Sequence, residues 1–461
     1  MRRLVGLGNV PRRVFLSSLL RFTHGYSLHE AGTTQKPLPM STCEETIPLQ
    51  GEDSNLDVIT PWSVSAKGSQ GIDYSRVLTH FKTQKVDETV IDRLLEVIQK
   101  NIKRTHREGT TYPQVHHFFS RQVAFSHRDF DQVLCELEKS FLTGQQRVFL
   151  YTGRGPSSKS IHLGHFIPFL LTKYLQDALN LPLVIQITDD EKYLFRDVPF
   201  TGDAADNMIS GNIKDIIAFG FNPKRTFIFR NTHYFGDLYP TVLRLQKAMT
   251  FNAVMHTLGI KDETNIGRIA FPATQAAPCF ASAFPRVLPQ TGTAMRCLIP
   301  CAVDQDPFFI LARSAASRIA HPPPALLHTK FLPALRGPCQ KMSSSDPKSG
   351  IISAHDSDGE IQMKLRKAFS GGKATLAEMR EHGADLEMDM AYQMLKFFCH
   401  NNDLFQDITT RYRAGRMDSG EVKNLAANFL INEVLTDWRA HRAKVTDDDV
   451  DEFCAVRNIL V

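Results

Sequence analysis

His162-Leu163-Gly164-His165 follows Tyr151-Thr152-Gly153-Arg154-Gly155-Pro156-Ser157-Ser158. This run reads as a strand, a glycine-rich turn and the start of a helix. Such a geometry aims backbone N–H groups and a positive dipole end at a phosphate. The two histidines stand at i and i+3, so they share one helix face, and both are expected to donate to an anionic oxygen. Gly164 leaves room for a flat ring to pack on the backbone. Far downstream lies Lys341-Met342-Ser343-Ser344-Ser345-Asp346-Pro347, which sets a lysine and hydroxyls on a loop able to cover a triphosphate. Transfer at phosphorus is catalysed mainly by positioning and charge stabilisation. Arg154, His162, His165 and Lys341 are the available donors. The implied chemistry is attack on the α-phosphate of ATP with release of pyrophosphate. Thr152, Gly153, Gly155, Gly164, Met342 and Ser343 complete the nucleotide site. No HExxH glutamate, third histidine ligand or carboxylate cluster marks a protein-bound metal. Mg²⁺ is expected to enter with ATP, held by phosphates and water.

The elements that must position these residues alternate in period. Arg147–Thr152, Leu183–Thr188, Thr226–Arg230, Arg296–Val303 and Ala325–Thr329 are short apolar runs that read as strands. Between them lie helical patterns, clearest over 158–180, where apolar residues recur at 163, 166, 167, 170, 171, 174, 175 and 179. Alternating strands and helices predict an α/β fold with a doubly wound parallel sheet, whose ligands bind beyond the carboxyl ends of the strands. Those ends carry Tyr151-Thr152-Gly153, the run 186–191 and Asp304-Gln305-Asp306. Residues 71–140 are mostly helical in pattern, and from about 355 onward the pattern is helical throughout.

The bounds are permissive. A chain of 461 residues with 42% hydrophobic and 22% charged residues has room for two or three domains. No apolar stretch is long enough to span a membrane. A net charge of +5 permits a nucleic-acid partner without requiring one. The eight cysteines are scattered, which predicts free thiols in a reducing compartment. The N-terminus differs from the rest: arginines at 2, 3, 12, 13 and 21 precede the first acidic residue, Glu30, and apolar residues recur among serines. That is the composition of a mitochondrial transit peptide, with a basic tail on a cytoplasmic protein as the alternative. The expected division is a leader over 1–40, a linker over 41–57, an N-terminal extension over 58–140, a catalytic domain over 141–354 and a helical domain over 355–461.

TGRGPSS with HLGH, QITDDEKYLF (186–195), FPATQAAPCF (271–280), CLIPCAVDQDPFF (297–309), PALLH (324–328) and KMSSSDP together resemble tryptophanyl-tRNA synthetases of the eukaryotic and archaeal type. The resemblance runs from about residue 58 to the end. It implies a class I aminoacyl-tRNA synthetase with a Rossmann-type catalytic domain, a C-terminal all-helical anticodon-binding domain and a homodimer. The implied substrates are ATP, L-tryptophan and tRNA(Trp). Tyr151 and Gln186 match positions that contact the indole N–H. Glu191, Gln275 and Gln305 match those that hold the amino group, and Lys192 one near the carboxylate. Ile59–Trp62 through Gly71–Tyr74 resembles a hairpin that closes over ATP. Phe369, Lys373 and Arg380 fall where anticodon contacts are expected.

The chain also departs from the pattern. Ser344 replaces a second lysine, Ile310 and Ser314 replace charged residues, and Lys373-Ala374 replaces an Arg-Asp pair. The missing carboxylate at 374 predicts relaxed reading of the first anticodon base. The rival readings are a tyrosine-specific relative, a small HxGH nucleotidyltransferase and a non-catalytic synthetase derivative. The intact phosphate donors and the long helical C-terminus disfavour the last two.

Overall fold

The computed structural model describes residues 57–105, 115–158, 160–196, 198–261, 263–289, 294–343 and 350–460. The leader, almost all of the linker and Ser344–Pro347 of the lysine loop lie outside them.

Among the described residues, eleven strands form two sheets. In chain order they are β1 (Val58–Ile59), β2 (Val64–Ser65), β3 (Gln84–Lys85), β4 (Ala124–Arg128), β5 (Val148–Arg154), β6 (Leu183–Ile187), β7 (Thr226–Arg230), β8 (Arg296–Ala302), β9 (Ala325–Thr329), β10 (Pro333–Ala334) and β11 (Gly337–Lys341). The larger sheet runs β3-β4-β9-β8-β5-β6-β7. Its five strands from β5 to β9 pair in parallel, with Leu150 opposite Leu183 on one side and Leu298 on the other. Chain order reverses between β5 and β8. This is the doubly wound, Rossmann-type arrangement, and the gap at that reversal is where such sheets bind ligands. The parallel strands are apolar and buried on both faces, as helices on each side require.

The five parallel strands fall within two residues of their predicted bounds. The largely helical reading of 71–140 needs correction, because β3 and β4 lie inside it and extend the main sheet by two antiparallel strands. β4 reads Ala-Phe-Ser-His-Arg, with no apolar alternation to reveal it. Its polar side chains are nevertheless buried, because partners distant in sequence satisfy them: Ser126 Oγ lies 2.9 Å from His328 Nδ1 on β9, and Arg128 pairs with Asp306 at the start of a helix.

The smaller sheet, β1-β2-β11-β10, is antiparallel. A tight turn closes β1 and β2, with Thr60 N–H donating to Ser63 O at 2.9 Å, and Ser65 pairs with Gln340. The N-terminal hairpin is therefore hydrogen-bonded to the strand that ends in Lys341.

After residue 357 the described chain is helical: Asp358–Arg366, Leu376–His382, Met390–Phe398, Asn402–Arg413, Ser419–Phe429, Thr436–Lys444 and Asp447–Cys454. Ser357, Thr375, Asp418 and Thr446 each close a capping box with an acidic residue three positions on. These helices share a hydrophobic cluster with the helix Leu163–Leu179, and the last of them packs on β7.

Candidate active site

A cavity of about 290 Å³ opens at the carboxyl ends of β5, β6 and β8. Tyr151, Thr152, Gly153, Arg154, Gly155, His162, Gly164, His165, Glu191, Lys192, Gln275, Gln305, Lys341, Met342 and Ser343 all line it. The structure thus gathers residues spread over half the chain. Of the candidates for amino-acid and nucleotide binding, only Gln186 stands back from the wall. Phe369, Lys373 and Arg380 lie apart on the helical segment, where Phe369 is 43% exposed and the two cations are exposed.

One side of the cavity is an ordered chain of hydrogen bonds. The Gln275 side-chain amide donates to Tyr151 Oη at 3.1 Å, and Tyr151 donates to Gln186 Oε1 at 2.6 Å. Gln186 Nε2 donates to Asn231 Oδ1 at 2.8 Å, and Asn231 donates to Asp190 Oδ1 at 2.8 Å. Gln186 therefore acts from behind Tyr151 and fixes its hydroxyl. Burial pushes the Asp190 carboxyl up to about 6, partly offset by the hydrogen bond from Asn231. Above Tyr151, Glu191 accepts from Lys192 at 2.6 Å and from Thr188 Oγ1 at 3.0 Å.

The other side carries the residues predicted from the sequence to hold phosphate. A Cβ at Gly164 would lie 2.9 Å from the His162 ring, and one at Gly155 only 2.1 Å from Glu191 Oε2. Neither glycine has a positive φ, and a side chain at either position would push Glu191 or His162 out of its present place. His162 caps the helix Leu163–Leu179, its Nδ1 accepting from Gly164 N–H at 3.1 Å. That bond places the ring proton on Nε2, which is the donor His162 offers.

His165 differs from expectation. Arg154 Nη1 lies 2.7 Å from its Nε2, and His162 N–H lies 3.2 Å from its Nδ1. A neutral imidazole has one lone pair for these two donors, and the permanently charged guanidinium at the shorter distance takes it. His165 thus packs against Arg154 and accepts from it in this arrangement. Burial, reinforced by the charge of Arg154, pushes His162 down to about 3 and His165 well below its ordinary value, so both rings are neutral at pH 7.

Arg154 is buried. Its Nε donates to Asn212 Oδ1 at 3.3 Å, while Nη2 has no hydrogen-bond partner among the described residues. Burial lowers its pKa to about 10 against the pull of Glu191 and Asp215. A buried guanidinium with an unpaired N–H is a strong invitation to an anion. Lys341, at the end of β11, is ion-paired with the buried Asp304, and its ammonium lies 5.4 Å from the Phe331 ring centroid.

Sequence reasoning missed Asp304 as that partner, and Asn212 as the brace of Arg154. It also left open what Trp62 does. Trp62 stacks on Phe195 at 4.4 Å and meets Phe308 edge-on at 5.6 Å, walling the mouth of the cavity.

Comparison with known proteins agrees with this geometry. The family described as tRNA synthetases class I (W and Y) matches residues 143–435. The cytoplasmic tryptophan–tRNA ligase of Dictyostelium discoideum is 41% identical over 90% of this chain and 99% of its own length. The human cytoplasmic tryptophan–tRNA ligase is 42% identical over 88% of this chain and 82% of its own. The crystal structure of the tryptophan-bound tryptophanyl-tRNA synthetase of Encephalitozoon cuniculi superposes with a TM-score of 0.72 at 36% identity, covering 84% of this chain and 99% of that one. These relatives overturn the mitochondrial location expected from the leader, since those whose compartment is stated are cytoplasmic. Arginine-rich, acid-free composition with apolar spacing describes a surface charge pattern, and a basic tail without an address satisfies it equally. The chain belongs to the tryptophan–tRNA ligases, class I aminoacyl-tRNA synthetases that activate L-tryptophan with ATP and transfer it to tRNA(Trp).

Proposed function

We propose that the two sides of the cavity divide the substrates of this ligase between them. Tryptophan lies with its indole N–H against Tyr151, whose hydroxyl Gln186 holds from behind. Its ammonium faces Glu191, Gln275 and Gln305, and its carboxylate lies near Lys192. ATP lies over Thr152, Gly153 and Gly155, with its phosphates toward Arg154, His162 and the strand ending in Lys341, Met342 and Ser343. The tryptophan carboxylate attacks the α-phosphate, pyrophosphate leaves, and the terminal ribose hydroxyl of the tRNA then takes the acyl group. Arg154 and His162 Nε2–H stabilise the charge that builds on the phosphates. Lys341 joins them by exchanging Asp304 for a phosphate oxygen.

Among the described residues, the phosphate side offers donors, with Asp304 and Glu191 the carboxylates beside them. Mg²⁺ there would be held mainly by phosphates and water, and would neutralise charge on the leaving pyrophosphate. The helical segment after 355 is the anticodon reader in this scheme, with half-exposed Phe369 as a stacking platform and exposed Lys373 and Arg380 as the cations. The compartment is the cytoplasm.

The observation that carries the reading is the Gln275–Tyr151–Gln186 chain, set in the same cavity as the unpaired N–H of Arg154. Purified chain should support ATP–pyrophosphate exchange with tryptophan and not with tyrosine. Tyr151→Phe leaves the buried indole N–H without its acceptor, a loss of about 1–3 kcal/mol or roughly 5- to 150-fold in tryptophan kcat/KM. Unchanged tryptophan kinetics in that variant would remove Tyr151 from the indole site.

A homodimer is part of the same proposal. On the helix Asn231–Ala248, Phe235, Tyr239 and Leu243 recur one turn apart at 38%, 43% and 46% exposure. An exposed stripe of that kind suits a self-complementary twofold contact. Sedimentation should show a dimer for the full chain and a monomer for Leu243→Asp; a monomeric wild type would refute the dimer.

A further inference from the structure

Asp215 lies on the helix Asp203–Ile217, fully buried and away from the cavity wall. Its carboxylate gathers three parts of the chain. Oδ2 accepts from Ile161 N–H at 3.4 Å, the residue before the cap His162. Oδ1 lies 3.1 Å from His355 Nε2, in the segment that follows the lysine loop. Oδ1 also accepts from Arg442 Nε at 2.7 Å, on the C-terminal helix Thr436–Lys444. The main-chain oxygen of Asp215 accepts from Trp438 Nε1 at 3.2 Å, one turn before Arg442 on that helix.

The parts so gathered are themselves joined. Ala354 N–H donates to Ile161 O and Leu163 N–H to Ile352 O, both at 3.0 Å, so His162 and Ser353 face each other across a short antiparallel bridge. Arg439, on the same C-terminal helix, donates to Asp358 Oδ1 at 2.6 Å and to the Asp356 carbonyl. One turn before Asp215 on its helix, Asn212 braces Arg154 through Oδ1 and holds Ser158 O through Nδ2 at 2.9 Å. One buried helix face therefore sets both Arg154 and the loop leading into His162.

A buried carboxylate is held only while its cations and donors stay in place. We propose that Asp215 is a positioning residue for adenylate formation, fixing the His162 loop through a carboxylate whose own placement depends on Arg442 of the C-terminal helices. The helical segment then contributes to amino-acid activation itself, a step in which tRNA takes no part. This inference rests on the proposed placement of ATP phosphates at Arg154 and His162.

The test uses the full chain in tryptophan-dependent ATP–pyrophosphate exchange, with active sites titrated by the adenylate burst. Asp215→Asn should lower kcat per active site about 10- to 100-fold and raise the KM for ATP, because small misplacements of phosphate donors are costly. The KM for tryptophan should stay within about twofold, since the Tyr151–Gln186 side is untouched. Arg442→Met should show the same split at about 3- to 10-fold, and Arg442→Lys, which restores a cation, should recover most of it. If Asp215→Asn does not fold, the Arg442 pair decides alone. The inference is overturned if kcat per active site is unchanged in the folded variants, if only the active fraction falls, or if the KM for tryptophan rises in step with that for ATP. A wild-type chain without tryptophan-dependent exchange would instead overturn the reading of the cavity beneath it.

Discussion

Lys341→Ala is expected to slow formation of tryptophanyl-adenylate about 10²- to 10³-fold while tryptophan affinity stays nearly constant. The ammonium is held at the end of β11 by the buried carboxylate of Asp304 and the face of Phe331. Neither contact reaches the Gln275–Tyr151–Gln186 chain that lines the tryptophan side. Charge builds on the α-phosphate of the transferred adenylyl group and on the leaving pyrophosphate, so an interaction made there is gained mainly in the transition state and acts on kcat. Lys341→Arg should be intermediate: it keeps the charge but spreads it over a planar fork in place of a compact ammonium. Presteady-state adenylate formation and equilibrium tryptophan binding on the same preparation separate the two effects. A large loss in tryptophan affinity with normal exchange turnover would exclude the lysine from the phosphate end.

Much of this site was legible because its signals are local. A strand, a glycine turn and a capped helix lie within the run 148–165, and period alone finds them. That ligands lie beyond the carboxyl ends of the strands follows from the alternation of strands and helices, whereas the strand order, and with it the reversal between β5 and β8, comes only from the structure. What stayed hidden depends on partners distant in sequence. β4 carries Ser126, His127 and Arg128, which look like loop residues until His328 and Asp306 are placed beside them. Lys341 looks like a solvated cation until Asp304 is seen next to it. The two histidines read as equal donors, yet one N–H of the backbone and one guanidinium give their rings different roles. Asn212 and Asp215 carry no motif, and nothing in the helix pattern distinguishes them from exposed polar residues. Local periodicity records which face of an element is apolar; it does not record which buried polar group will find a partner from another part of the chain.

The largest stability effect should come from one such buried pair. Arg128 and Asp306 are 6% and 0% exposed in their side chains, and two parallel bonds of 2.8 Å join them. His328 Nε2 lies 3.1 Å from the same carboxylate. The guanidinium also donates to the Phe81 and Lys82 carbonyls, at the end of the helix Tyr74–Phe81. The pair thus ties β4 and β9 to the first turn of the helix Asp306–Ala316, directly after the Asp304–Gln305 wall of the cavity. Arg128→Met strands a buried carboxylate and should cost about 3–5 kcal/mol. Burial alone would raise the Asp306 carboxyl, but the hydrogen bond from Arg128 and the proximity of His328 outweigh it and hold the group well below the ordinary carboxylate range. A carboxyl lowered by folding stabilises the native state above its unfolded pKa, near 4 for aspartate. That contribution fades as pH falls below about 4 toward the folded value. In the variant Asp306 protonates readily and has little left to lose, so the stability gap between wild type and Arg128→Met should narrow on acidification. Urea unfolding at neutral pH and near pH 3 measures both gaps. A difference under about 1 kcal/mol at neutral pH, or one independent of pH, would show that the pair is not carrying this load. Arg128→Met combined with Asp306→Leu should recover most of the loss, because two apolar side chains of similar volume leave no buried charge to solvate.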